Sequence, residues 1–198
     1  MRKGESMKVV DLFCGCGGMS LGFQNAGFEI IAAFDNWEAA VEVYRNNFKH
    51  PVYTSDISAV ETQNAICNLG ADIIIGGPPC QDFSTAGLMD EGGGRAQLTI
   101  VFSRIVADAK PRFFVMENVA RAPKSKAYTT ALKILREAGY GFTSMLIDAS
   151  YCGVPQSRKR YFVIGEFAGQ DGFLEKYLFS SPAHFLNQII WGFVIKLH

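Results

Sequence analysis

The sequence predicts an α/β fold: a mostly parallel seven-stranded sheet with helices on both faces. Three observations lead there. Short apolar runs alternate with helical stretches from Lys8 to Gly165, the pattern of a parallel sheet with crossover helices. The first run is followed by a glycine-rich turn and then a helix. The chain has 198 residues, 48% of them hydrophobic and 19% charged, which suits one globular domain with a real core.

The elements follow in order. Lys8 to Phe13 reads as the first strand, Cys14-Gly15-Cys16-Gly17-Gly18 as the turn, and Met19 to Ala26 as a helix stopped by Gly27. Glu29 to Phe34 reads as the second strand, ending at Asp35, and Trp37–Asn47 as the next helix. Val52 to Ser55 is a short third strand that ends at Asp56-Ile57, and Thr62 to Leu69 is helical. Asp72 to Ile75 is an apolar fourth strand, broken off by Gly76-Gly77-Pro78-Pro79. A glycine-rich loop (Gly87, Gly92, Gly93, Gly94) then runs to Arg95, as a closing lid would. Leu98 to Ala109 reads as a helix, Arg112 to Met116 as the fifth strand, and Ser125 to Ala138 as an amphipathic helix. Thr143 to Ile147 and Tyr161 to Gly165 are the sixth and seventh strands. Residues 1–172 form the expected domain. Residues 173–198 are an atypical apolar tail, read as a docking segment or a truncation product.

Composition excludes several classes. No apolar run approaches the roughly 20 residues of a membrane span. The polar start, Met1 to Ser6, has no apolar segment behind it and predicts no signal peptide. Five cysteines leave an odd one, which argues against a disulfide framework and for a reducing cytoplasm. Cys14-x-Cys16 has the wrong spacing for a zinc half-site and no histidine pair supports it, so no metal is expected. The formal net charge is zero, yet residues 112–160 hold 9 Lys+Arg against 3 Asp+Glu. That is equally an ordinary solvated surface and a pointer to a polyanionic partner.

The turn Gly15-x-Gly17, with Ser20 where a third glycine would stand, suits a nucleoside cofactor with or without phosphates. Asp35, about 20 residues beyond the first glycine, sits where ribose hydroxyls are commonly bound, and could equally cap the following helix. Asn36 or Trp37 could cover an adenine face, or Trp37 could simply pack. Cys80 follows the fourth strand at its carboxyl end, where ligands of open α/β sheets bind. Glu117 and Arg160 sit at the ends of neighbouring predicted strands. A thiolate and an acid without a partner histidine suit conjugate addition to an electron-poor pyrimidine. The thiolate attacks C6, the acid serves N3, and C5 then attacks an electrophilic methyl group. Arg160 could hold O2, and Arg158 a second group or a phosphate.

These residues also carry a resemblance. Asp11-Leu12-Phe13-Cys14-Gly15-Cys16-Gly17-Gly18, Gly77-Pro78-Pro79-Cys80-Gln81, Glu117-Asn118-Val119 and Gln156-Ser157-Arg158-Lys159-Arg160 resemble four ordered motifs of the DNA (cytosine-5) methyltransferases of restriction–modification systems. The resemblance spans about Lys8 to Gly165. It implies a Rossmann-like S-adenosylmethionine-dependent methyltransferase fold, S-adenosyl-L-methionine as methyl donor, and a cytosine flipped out of double-stranded DNA. It implies Cys80 as nucleophile, Glu117 at N3 and Arg160 at O2. Phe13, Asp35, Asp56, Ile57, Pro79 and Leu98 would line the cofactor pocket. The setting it implies is a prokaryotic cytoplasm, at the nucleoid.

Two departures qualify it. The family's target recognition domain and two late motifs are not found in the 198 residues. Gly94-Arg95-Ala96-Gln97-Leu98 replaces a tighter Arg-Gly-x-Leu pattern. The favoured expectation is a catalytic core lacking its recognition part: a subunit completed by a second polypeptide, a truncated product, or a core on its own. Such a core alone would bind S-adenosylmethionine weakly and methylate DNA poorly or not at all; an alternative is a cofactor-binding core that is inactive without a second polypeptide. A tRNA cytosine methyltransferase is the other alternative, and Gln81-Asp82-Phe83-Ser84 lacks the Cys-Phe-Thr of that branch.

Overall fold

The computed structural model describes residues 6–79, 96–152 and 155–176. Cys80, the loop through Arg95 and the tail beyond Lys176 therefore lie outside the described residues.

Seven strands form one sheet: β1 (Lys8–Leu12), β2 (Glu29–Asp35), β3 (Val52–Thr54), β4 (Ile73–Gly76), β5 (Phe113–Val119), β6 (Tyr140–Asp148) and β7 (Lys159–Phe167). The helices are α1 (Gly18–Asn25), α2 (Glu38–Asn47), α3 (Val60–Cys67), α4 (Ala96–Ala109) and α5 (Lys126–Glu137). The strand order is β3-β2-β1-β4-β5-β7-β6. Pairing is parallel from β3 to β5, and β7 runs antiparallel between β5 and β6. The chain builds outward from β1 to β3, then returns and builds the other way from β4. The boundary between β1 and β4 is thus a topological switch point, and ligands of such sheets bind beyond the carboxyl ends there.

Side-chain alternation sends the two faces of the sheet into two cores. Val10, Leu12, Ile74, Phe114 and Met116 pack with Phe102, Ile105, Val106 and Leu135 of α4 and α5. Val9, Ile73, Ile75, Val115 and Phe162 pack with Met19 and Phe23 of α1. On that second face α2 adds Tyr44, which packs against Cys14 and Ala33. No described helix is long and apolar enough to cross a membrane.

Several element ends differ from the expected ones. The fifth strand does not stop at Met116: Glu117, Asn118 and Val119 continue it, paired with Phe162, Tyr161 and Arg160. The sixth begins at Tyr140, three residues early, because Tyr140, Gly141 and Phe142 pair with Phe167, Glu166 and Gly165. The third helix begins at Val60 rather than Thr62. Ser125 lies just outside α5 and caps it, its hydroxyl accepting from the Tyr128 N–H at 3.1 Å. Beyond β7 the chain stays on the sheet, the Leu174 N–H reaching the Thr143 hydroxyl at 3.1 Å.

Candidate active site

The register places the candidate groups on one face. Asp11 pairs with Ile75, and Ile75 with Val115. Glu117 lies two residues past Val115, so its side chain falls on the same face as Asp11, the face that α1 covers. Arg160 precedes Glu117's partner Phe162 by two residues on β7 and reaches that face as a diagonal neighbour. One cavity of about 270 Å3 joins these groups. Asp11, Phe13, Cys14, Gly15, Cys16 and Met19 line its β1 side. Gly77, Pro78, Pro79, Glu117, Asn118, Val119, Arg158 and Arg160 line the rest.

At the β4–β5 side, the Arg160 guanidinium Nε stands 2.7 Å from Glu117 Oε1. Burial raises the Glu117 pKa above its ordinary value, and the cations of Arg160 and Arg158 only partly offset it. Gly77 makes room for this carboxylate, since a Cβ there would stand 3.1 Å from Glu117 Oε2. Asn118 is buried and donates from Nδ2 to Pro78 O at 3.0 Å. It therefore ties the Gly77–Pro79 turn, which leads directly into Cys80, to β5. Arg158 Nε is buried without a hydrogen-bond partner among the described residues, a free donor in the cavity wall. Asp148 fixes the approach to both arginines. Its Oδ1 accepts from the Ser150 and Arg158 N–H groups, each at 3.1 Å, and its Oδ2 from the Ser157 hydroxyl at 3.0 Å.

At the β1 side, the turn into α1 has a demanding backbone. Phe13, Gly15 and Gly17 all have positive φ, of 59°, 52° and 93°. A non-glycine residue held there costs about 1–3 kcal/mol and is typical of ligand-holding turns. At Gly17 any Cβ would run into the rings of Phe48 and Tyr44. Gly17 is also the N-cap of α1, which has no side-chain cap. Gly18 opens the helix, so the first-turn N–H groups suit an anionic or carboxylate group. Asp35 Oδ2 accepts from the Gly15 N–H at 2.8 Å and Oδ1 from the Trp37 N–H at 2.9 Å. It fixes the turn rather than capping α2, whose N-cap is Trp37.

Asp11 is the group that the motif reading left without a role. It is 1% exposed. Its Oδ2 accepts from the Ser20 hydroxyl at 2.6 Å, while its buried Oδ1 has no partner among the described residues. Burial pushes its pKa from 3.8 up to about 7. An orphaned carboxyl oxygen in a cavity wall is the complement of a cationic donor. The amino-acid end of S-adenosylmethionine offers an ammonium for that oxygen and a carboxylate for the α1 start, so the residues present fit the cofactor that the motifs imply.

Of the expected site residues, the cavity gathers Phe13, Gly15, Pro79, Glu117, Arg158 and Arg160. It does not include Gly17, Gly18, Asp35, Asn36, Trp37, Asp56, Ile57 or Leu98. Trp37 does not pack as a half-buried indole: it is 66% exposed, beside the exposed Asn36. Ile57 is a core residue at 3% exposure. Asp56 is exposed and its Oδ1 takes the Ser58 N–H at 2.8 Å. Leu98 is half-buried on α4. Among the described residues no group of three or more His, Cys, Asp and Glu could hold a metal ion.

The seven-stranded sheet with a glycine turn after β1 is the Rossmann-like fold of S-adenosylmethionine-dependent methyltransferases, and solved methyltransferases share it. Within that class the chain belongs to the C-5 cytosine-specific DNA methylase family, whose model matches residues 7–182. It is 53% identical over 169 residues to the type II methyltransferase M.HindV of Haemophilus influenzae, covering 85% of this chain and 56% of the relative. It is 51% identical over 164 residues to M.HgiDI of Herpetosiphon aurantiacus, covering 82% of this chain and 53% of that protein. The chain thus spans about half the length of these curated relatives. Among solved structures, the Spodoptera frugiperda DNMT2 mutant E260A/E261A/K263A matches with a TM-score of 0.71 at 28% identity, over 83% of this chain and 51% of its own.

Proposed function

We propose that this chain is the catalytic core of a DNA methyltransferase that transfers a methyl group from S-adenosylmethionine to C5 of a flipped-out cytosine. The observation that carries the reading is the shared cavity. Glu117, paired with Arg160 at 2.7 Å, lines the same space as Asp11, Phe13 and Gly15 and the turn that ends at Pro79, one residue before Cys80. A methyl donor and a base acceptor must meet in one such space.

When bound, S-adenosylmethionine supplies the electrophilic methyl. The chain's own residues act on the base. Cys80 as thiolate attacks C6 of the ring. Glu117, whose burial makes its protonated form accessible, hydrogen-bonds N3 as charge develops there. Arg160 steadies Glu117 and faces O2, and Arg158 Nε supplies a further donor. C5 takes the methyl group, a base removes the C5 proton, and elimination returns the Cys80 thiolate. Asp35 and the exposed Trp37 would serve the nucleoside end of the cofactor, with Asp56, Ile57 and Leu98 shaping its surroundings. The setting is a prokaryotic cytoplasm, on chromosomal DNA.

The substrate-reading part of the protein is assigned outside these 198 residues, in continuation of the chain or on a second polypeptide. Radiolabelled methyl transfer to several duplex DNAs, with and without the polypeptide encoded next to this one, tests the proposal. Label in 5-methylcytosine of DNA only when both are present supports it. Label confined to tRNA, or sequence-specific methylation by this chain alone, contradicts the respective part.

A further inference from the structure

We infer that Tyr44, on α2 and outside every recognised motif, is a positioning residue for the cofactor: with Ser20 it presents the free oxygen of Asp11 to the cofactor's ammonium group. The inference rests on the cofactor reading above and adds to it residues that touch no ligand themselves.

A buried chain of hydrogen bonds carries it. The Tyr44 hydroxyl donates to Ser20 Oγ at 2.6 Å, and the Ser20 hydroxyl donates to Asp11 Oδ2 at 2.6 Å. Tyr44 Oη also meets His50 Nε2 at 2.6 Å. Tyr44 and Ser20 are fully buried. An ionised Asp11 can only accept, so the direction of the whole chain is set. Ser20 has one proton and gives it to Asp11. Tyr44 has one proton and gives it to Ser20. Tyr44 Oη then accepts, which requires the Nε2–H form of His50. Burial pushes the Tyr44 hydroxyl up and the imidazole of His50 down, so the tyrosine keeps its proton.

This arrangement occupies Oδ2 of Asp11, a residue of the cavity wall, and leaves its Oδ1 without a partner among the described residues. Without the Tyr44 hydroxyl, Ser20 Oγ loses its donor. Its own proton can then turn to a backbone carbonyl in α1, and the carboxyl group is free to rotate. The same tyrosine ring closes under Gly17, so one residue supports both the turn and the carboxylate. The chain links residues 9, 24 and 6 positions apart and exists only in the folded protein.

Calorimetric titration of the 198-residue chain with S-adenosylhomocysteine and with 5′-methylthioadenosine tests it. The second compound keeps the adenosine and thioether and lacks the amino-acid end. Tyr44→Phe is expected to weaken S-adenosylhomocysteine about tenfold and to leave 5′-methylthioadenosine within twofold. Equal weakening of both compounds, or of neither, overturns the inference. Ser20→Ala keeps the test decisive if Tyr44→Phe fails to fold, with the same expected split. Wild-type protein that binds neither compound overturns the cofactor reading and the inference with it, a result distinct from an unaffected variant.

Discussion

Replacing Asp11 with asparagine should stabilise the unliganded protein at alkaline pH and abolish its hold on the cofactor. Burial lifts the Asp11 pKa from 3.8 to about 7. At 1.36 kcal/mol per unit, ionising it inside the fold costs about 4 kcal/mol. The sign follows from linkage. A carboxyl whose folded pKa is raised binds more protons folded than unfolded, so stability falls as pH rises from about 4 to about 7 and stays low above. The groups facing it are the Ser20 hydroxyl and the Asp35 carboxylate, and Asp35 adds to the upward shift. Asparagine keeps an acceptor for Ser20 and removes the charge. Its unpartnered NH2 costs about 1–3 kcal/mol in return. The net gain at pH 8 is about 2 kcal/mol, or a rise of roughly 4–8 °C in Tm for a chain of this size. At pH 5 gain and loss nearly cancel. Thermal denaturation followed by circular dichroism at the two pH values reads the difference, and calorimetry reads the loss of S-adenosylhomocysteine binding. A variant less stable than wild type by the same amount at both pH values, or one binding with wild-type affinity, would refute the reasoning.

Other expectations follow from the same geometry. Affinity of the wild-type chain for S-adenosylhomocysteine should rise between pH 6 and 8, as Asp11 ionises; an affinity that stays flat across that range in calorimetry would remove Asp11 from the ammonium contact. Trp37→Ala should leave Tm nearly unchanged, because the indole is 66% exposed, and weaken nucleoside binding about tenfold if the ring stacks on adenine; unchanged affinity removes Trp37 from the site. Arg160→Ala should raise the Glu117 pKa further, since it deletes a cation 2.7 Å away, and shift the alkaline limb of methyl transfer upward; an unmoved or downward-shifted limb would show that Arg160 does not hold the Glu117 pKa down. Gly17→Ala should cost about 2–4 kcal/mol in a denaturant titration, from left-handed backbone and collision with Phe48 and Tyr44.

Much of this was legible in the sequence because the signals are local. Ile73, Ile74 and Ile75 broken by Gly76–Pro79 mark a buried strand and its end, and the turn after Leu12 announces itself by its glycines. What escaped is non-local. Glu117 looks like the end of an apolar strand, yet β5 runs on to Val119 because β7 pairs with it and Arg160 stands against the carboxylate. Tyr140–Phe142 falls between the helix expected to end at Ala138 and the strand expected from Thr143, yet pairing with β7 makes it strand. Asp35 at the end of an apolar run suits a ribose contact or a helix cap, and the sequence alone does not show its backbone bonds. Its two oxygens hold the backbone of Gly15 and Trp37. Asp11 is visible in its motif, but its orphaned oxygen depends on Ser20 and Tyr44 arriving from two helices. Asp148 likewise becomes a clamp only when the turn back into β7 folds over it. A hydrophobic pattern locates an element and its buried face; it is silent on which distant donor completes a polar group.

The most direct test of the central claim uses duplex DNA carrying 5-fluorocytosine, from which the C5 substituent cannot leave as a proton. With S-adenosylmethionine and the proposed recognition part present, this chain should form a denaturant-stable adduct with the DNA, and Cys80→Ser should form none. An adduct that persists in Cys80→Ser contradicts the account.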